Sequence, residues 1–142
     1  MIPSKGDIVM EYIIKPIGYI KTEYIERGEA PPQGSRTKSS FGYIKMEPEF
    51  LEGIRDLKSG MTITLVFYFH KSEGYSLITK SRMSIHPVGV FSTRSPDRPN
   101  CIGITEVLIR SVDNNIIEFQ GADMLDGTPV IDIKPSLKTY KL

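Results

Sequence analysis

The sequence predicts a mainly β, single-domain, non-Rossmann fold with one short helix. Three observations lead there. From residue 61 onward the chain is dominated by short runs in which β-branched and aromatic residues alternate with polar ones, the period of strands. Only one segment carries a helical spacing of apolar residues. There is no alternation of strand and helix and no G-x-G-x-x-G, so a dinucleotide-binding architecture has no footing. With 142 residues, one core is enough, and a chain of this size buries roughly two-thirds of the surface it exposes when unfolded.

Taken in order, residues 1–11 read as an N-terminal extension to a domain spanning 12–142. Residues 12–20 are β-branched and aromatic, but Pro16 and Gly18 suggest an edge or bulged strand. Residues 26–40 contain Gly28, Pro31, Pro32 and Gly34 and end rich in Ser and Thr, so they read as a loop long enough to have a function. The helix is placed at 48–57, where Phe50, Ile54 and Leu57 share a face and acidic residues open the first turn. Residues 61–69 alternate Thr with aliphatics and then turn apolar on both faces, as a central strand does. Strands at 105–112 and 116–121 flank Asp113-Asn114-Asn115, a good hairpin turn, and 88–91 and 130–133 supply two more.

The composition, 39% hydrophobic and 25% charged, is that of a soluble globular domain, with no apolar run long enough to span a bilayer. The start of the chain lacks the apolar stretch of a signal peptide, and a single cysteine fits a reducing compartment, so a cytoplasmic location is expected. The net charge of +1 conceals a segregation. Residues 67–110 hold six basic and three acidic side chains, whereas 111–133 hold five acidic and no basic ones. The basic strip of Lys71, Lys80, Arg82, Arg94, Arg98 and Arg110 could contact phosphate, although it is modest beside a dedicated nucleic-acid binder.

The segment most unlike a core strand is 89–105, where Arg94, Asp97, Arg98 and Asn100 are set among hydroxyls, two glycines and two X-Pro bonds. Proline fixes φ and pushes its predecessor toward extended geometry, so this loop is built to hold a shape. Arg94 and Arg98 each present a planar fork of donors suited to carboxylate or phosphate. Either could instead pair with Asp97 or a carbonyl to brace the loop. Leu125-Asp126-Gly127-Thr128-Pro129 reads as a tight turn before a strand, yet Asp123, Asp126 and Asp132 nearby would attract a cation. His70 closes an apolar strand and is either a satisfied strand end or a functional group; His86 reads as structural or surface. Two scattered histidines and one cysteine make no metal site, and Cys101 has no partner for nucleophilic catalysis.

Val90-Phe91-Ser92-Thr93-Arg94-Ser95-Pro96 with Arg98-Pro99-Asn100 and Ile102-Gly103 resembles the signature of the TrmO/YaeB-like (TsaA-like) family of tRNA methyltransferases. Ile17-Gly18-Tyr19-Ile20 with Ala30-Pro31-Pro32-Gln33-Gly34, then Phe67-Tyr68-Phe69-His70, then residues 123–135, agree in the same order. The resemblance covers residues 12–140. It implies closure of the strands into a small β-barrel, S-adenosylmethionine as cofactor, and methyl transfer to N6 of an adenosine beside the tRNA anticodon, N6-threonylcarbamoylated in the family. By resemblance the cofactor contacts are Pro32, Gln33, His70, Lys71, Arg94, Ile104, Leu125, Asp126, Gly127 and Thr128. Asp126 or His70 is the expected proton acceptor, and Arg98, Asn100 and Arg82 the expected RNA contacts. Tyr43, Tyr68 and Tyr75 are available to stack on a base. A homodimer is implied, with no metal and no membrane. Relatives read Pro-Arg-Gln where this chain has Pro31-Pro32-Gln33, so one ligand contact is expected to be lost or supplied by Arg36 or Lys38. Two other readings stay open: a non-enzymatic β-barrel binding RNA or protein, and a methyltransferase with a different acceptor.

Overall fold

The computed structural model describes residues 9–28, 40–80 and 85–137. Within these, eight strands form: β1 (Gly18–Lys21), β2 (Phe41–Met46), β3 (Thr62–Tyr68), β4 (Ile78–Thr79), β5 (Val88–Gly89), β6 (Ile102–Asp113), β7 (Ile116–Gln120) and β8 (Pro129–Pro135). Six of them hydrogen-bond in a closed barrel in the order β1-β2-β7-β6-β3-β8, and β4 and β5 make a separate two-stranded ribbon. Every barrel pairing is antiparallel.

Alternation in the sequence becomes alternation across the barrel wall. On β2, Gly42, Ile44 and Met46 point inward while Phe41, Tyr43 and Lys45 point outward; on β3, Ile63, Leu65 and Phe67 are the inward set. Ile20, Val107, Ile109, Ile117, Phe119 and Val130 complete the same core. The central position expected for 61–69 holds, since β3 pairs with both β6 and β8, but its outer face is not apolar throughout and Tyr68 is exposed. The β6–β7 hairpin turns at Asn114 and Asn115, with Asn114 in the left-handed region at φ 54°. Register shifts between Ile109 and Ser111 and between Val66 and Phe67 bend the long strands around the ring.

Three expectations need correction. Strand β1 begins at Gly18, not residue 12, and it is no edge: Gly18 pairs with Met46 on one side and Val130 on the other. Glycine is required there because a Cβ would stand 2.8 Å from the Lys45 carbonyl oxygen. The helix at 48–57 is a 3₁₀ helix over Pro48–Ile54. Ile54 is buried and Phe50 and Leu57 pack on the core, so the apolar face is as read, but seven residues opened by proline are too few for a stable α-helix. The strand expected at 88–91 stops at Gly89; Val90–Ser92 winds as a second 3₁₀ turn because Thr93 returns both its N–H and its hydroxyl to the Val90 carbonyl.

Antiparallel order places the ends of β1, β3 and β7 and the starts of β2, β6 and β8 at one mouth of the barrel. The segments 22–28, 69–77, 91–101 and 121–128 all leave from that mouth. The Pro48–Ile54 helix and the Asn114-Asn115 turn lie at the other.

Candidate functional site

At this mouth the Leu125–Thr128 segment is a tight turn, as its residues predict, with the Thr128 N–H and hydroxyl both donating to the Leu125 carbonyl. Gly127 sits at φ 85°, where a side chain is strained. The turn is laced to the end of β1. The Asp126 and Gly127 N–H groups donate to the carbonyls of Tyr24 and Ile20, the Thr22 hydroxyl donates to Met124 O, and the Thr22 N–H donates to Asp126 Oδ1 at 3.1 Å. One carboxylate oxygen of Asp126 therefore has a fixed position.

His70 follows β3 and meets this turn across the mouth. Its ring comes close to the backbone of the turn, where a Cβ on Gly127 would stand 3.5 Å from its Nε2. Burial pushes the His70 pKa below its usual 6.5 and the neighbouring Lys71 ammonium adds to this, against the opposing effect of Asp126. The imidazole is thus neutral at pH 7, with one nitrogen donating and the other left as an acceptor. Lys71 is anchored by donating to the Ile25 carbonyl.

The arginine loop is tied to the same corner by residues the sequence did not single out. Asp97 accepts from Arg27 at 2.9 Å and from the Ser72 hydroxyl at 2.7 Å. The Arg27 guanidinium, aided by Ser72, holds the Asp97 carboxyl below the usual carboxylate range against the effect of burial. Three segments, 22–28, 69–77 and 91–101, are joined at this one carboxylate. No spacing rule points to Arg27 or Ser72, and nothing beyond their place in polar segments set them apart in the sequence. Around them lies a groove of about 330 Å³ lined by Glu26, Arg27, His70, Lys71, Ser72 and Glu73.

Within the loop, Arg94 and Arg98 part company. Arg94 is exposed, and its Nη1 makes a 3.4 Å contact to the Ile104 carbonyl on β6. Arg98 turns inward: its Nη1 donates to Thr93 O at 2.7 Å and its guanidinium lies 5.9 Å over the Phe91 ring. Of the contacts expected for Arg98, the structure shows the bracing one, to a carbonyl of its own loop. Asn100 is exposed at φ 64°, followed by Cys101 at φ 48°, an unusual pair of non-glycine residues in the left-handed region. Gly103, part of the signature, faces the barrel interior, where a Cβ would lie 2.6 Å from ring carbons of Phe67 and Phe69. Its role is packing.

His70, Lys71, Leu125, Asp126, Gly127 and Thr128 are therefore brought together, and Arg94, Asn100 and Ile104 share their end of the barrel. Pro32, Gln33 and Arg82 lie outside the described residues, as do Arg36 and Lys38. Among the described residues no cluster of His, Cys, Asp and Glu is arranged to hold a metal ion, and no helix is long and apolar enough to cross a membrane.

Residues 19–141 match the profile of the tRNA-methyltransferase O N-terminal domain family. A probable S-adenosyl-L-methionine-binding protein of Pyrococcus abyssi is 39% identical over 126 residues, which cover 89% of this chain and 68% of that protein. The mouse tRNA (adenine(37)-N6)-methyltransferase is 33% identical over 90% of this chain and 31% of its own length. The crystal structure of TrmO from Pseudomonas aeruginosa superposes with a TM-score of 0.74 at 32% identity, covering 90% of this chain and 57% of that one. The chain thus spans about a third of the mouse protein and somewhat over half of the Pseudomonas one.

Proposed function

The chain belongs to the tRNA-methyltransferase O N-terminal domain family, and we propose that it is an S-adenosylmethionine-dependent methyltransferase acting on N6 of an adenosine beside the anticodon of tRNA. The observation that carries the reading is the junction of His70 with the Asp126-Gly127 turn, two motif blocks far apart in sequence that meet beside a polar groove.

The groove suits a ligand with charges of both signs. Its volume lies at the low end of the range for small-molecule pockets, and Glu26 and Glu73 face the same space as Lys71 and Arg27. Carboxylates favour an ammonium or sulfonium, and the cations a carboxylate. Gly127 sets bare backbone beside His70, and its φ of 85°, not crowding, is what calls for glycine there. S-adenosylmethionine, when bound, supplies an electrophilic methyl group on a positively charged sulfur. The chain's residues supply position and a proton acceptor. Asp126, with one oxygen fixed by Thr22, is aligned to bond ligand hydroxyl or ammonium groups, and Arg94 to clamp a carboxylate or phosphate. His70, whose pKa burial lowers, offers a neutral imidazole nitrogen as acceptor for the N6 proton. That proton is more acidic in a threonylcarbamoylated adenosine, whose N6 belongs to a urea-like group, so the acceptor we propose is the already modified nucleoside.

The family relationship also supports a homodimer acting on cytoplasmic tRNA. Isothermal titration with S-adenosylmethionine should give saturable binding that is lost in Arg94→Ala. Single-turnover methylation of tRNA should fall by about 10²–10⁴-fold in His70→Ala if His70 takes the proton. Asp126→Asn separates the roles: weaker ligand binding with a normal rate at saturation makes Asp126 a binding group. No saturable binding by the wild-type chain would leave a binding module as the better reading.

A further inference from the structure

The outer face of β1 and β2 carries a pattern that methyl transfer does not use. Water-facing strand surfaces are ordinarily polar. Here Tyr19, Phe41 and Tyr43 stand out from the wall with 44, 45 and 44% of their surface exposed. Lysines sit between them. The register pairs Tyr19 with Lys45 and Lys21 with Tyr43, so each of these rings faces an ammonium across the pair. Directly opposed residues of an antiparallel pair share a face, which makes these five one surface.

Phe41 and Tyr43 are two residues apart on one strand, about 6.8 Å. That is roughly twice the ~3.4 Å rise between stacked bases, so each ring would receive its own splayed base, not one stack. Glu118, opposite Tyr43 on β7, brings one carboxylate to the rim of this surface, where it accepts from the Ser111 hydroxyl on the side away from β1. The surface also leads to the site. Lys21 precedes Thr22, whose N–H holds Asp126, and Phe41 pairs with Gln120 at the mouth where the Leu125–Thr128 turn lies.

We propose that this aromatic and lysine face of β1 and β2 binds unpaired nucleotides of RNA, stacking bases on Tyr19, Tyr43 and Phe41 while Lys21 and Lys45 neutralise the phosphates between them. Interleaved rings and cations on an open sheet are the requirement for single-stranded nucleic acid, whereas a second copy of this chain would bring two like-charged lysine pairs together. As the feature that would present an anticodon loop to the site, it rests on the methyltransferase reading; as an RNA-binding face it stands alone.

The test uses the full chain and three labelled RNAs: a single strand, a stem with an unpaired loop, and a duplex, followed by fluorescence anisotropy. Tyr19→Leu with Tyr43→Leu keeps apolar cover on the strands and removes the rings; it should weaken binding of single-stranded and loop RNA by about tenfold or more and leave duplex binding unchanged. Lys21→Gln with Lys45→Gln should weaken the same two RNAs and reduce the slope of log affinity against log salt by about 1.4. Both double variants should bind S-adenosylmethionine like the wild type, and a wild-type far-UV spectrum confirms folding. Unchanged RNA affinity in folded variants overturns the proposal, as does loss of self-association with RNA binding intact, which would assign the face to a second copy. If the wild type binds no S-adenosylmethionine and the ring variants still lose RNA, the methyltransferase reading fails and the RNA face survives.

Discussion

His70 shows how a single residue changes meaning once its neighbours are known. In the sequence it is a lone histidine after an apolar strand; in the fold it is a partly buried imidazole beside the Asp126-Gly127 turn and a lysine. Its pKa lies below 6.5, so the neutral form needed for proton acceptance predominates above that pH and is lost as the pH falls through the lowered value. The acid limb of kcat/KM should therefore fall below pH 6.5, and it should vanish in His70→Gln, whose residual rate is set by alignment alone. Gly103 makes the complementary point, since this residue of the family signature meets a space requirement of the core. Gly103→Ala, with its methyl 2.6 Å from two phenylalanine rings, should destabilise the fold by about 1–3 kcal/mol in urea unfolding. Ligand binding by the fraction that remains folded should be unaffected.

At the level of elements, the arginine loop is rigid for two reasons, of which the sequence shows one. Its prolines and the hydroxyl turns at Thr93 and Ser95 are local and legible. Its attachment through Asp97 to Arg27 and Ser72 joins residues 70 and 25 positions away, and no local rule contains it. The Arg27–Asp97 pair is partly solvated, so its loss should cost only about 0.2–1 kcal/mol of stability. Its effect on positioning should be larger. Asp97→Asn should raise KM for S-adenosylmethionine well beyond what the small change in Tm accounts for, and the exchange Arg27→Asp with Asp97→Arg should recover part of the loss. The depressed Asp97 pKa keeps the pair charged at all pH values above 3.8, losing it only as the pH falls through the lower value, so the His70 limb can be read without interference.

For the whole molecule, stability and function depend on the same closed ring, because each strand end at the mouth is held by core residues below it. Phe119→Ala removes the largest fully buried side chain among the described residues and should cost about 3–5 kcal/mol, with strand structure and ligand binding lost together in one transition. The sequence determined β3, β6, β7 and β8, the faces they bury and the turn at Asn114-Asn115, because strand periodicity and turn chemistry act over a few residues; β2 (Phe41–Met46) was not singled out. Tertiary structure alone decided that β1 is an interior strand, that Arg98 braces while Arg94 is presented, that Arg27 and Ser72 anchor the loop, and that His70 meets Asp126. Each of those depends on register around a closed sheet, which places residues tens of positions apart within hydrogen-bonding distance and leaves no trace in local spacing.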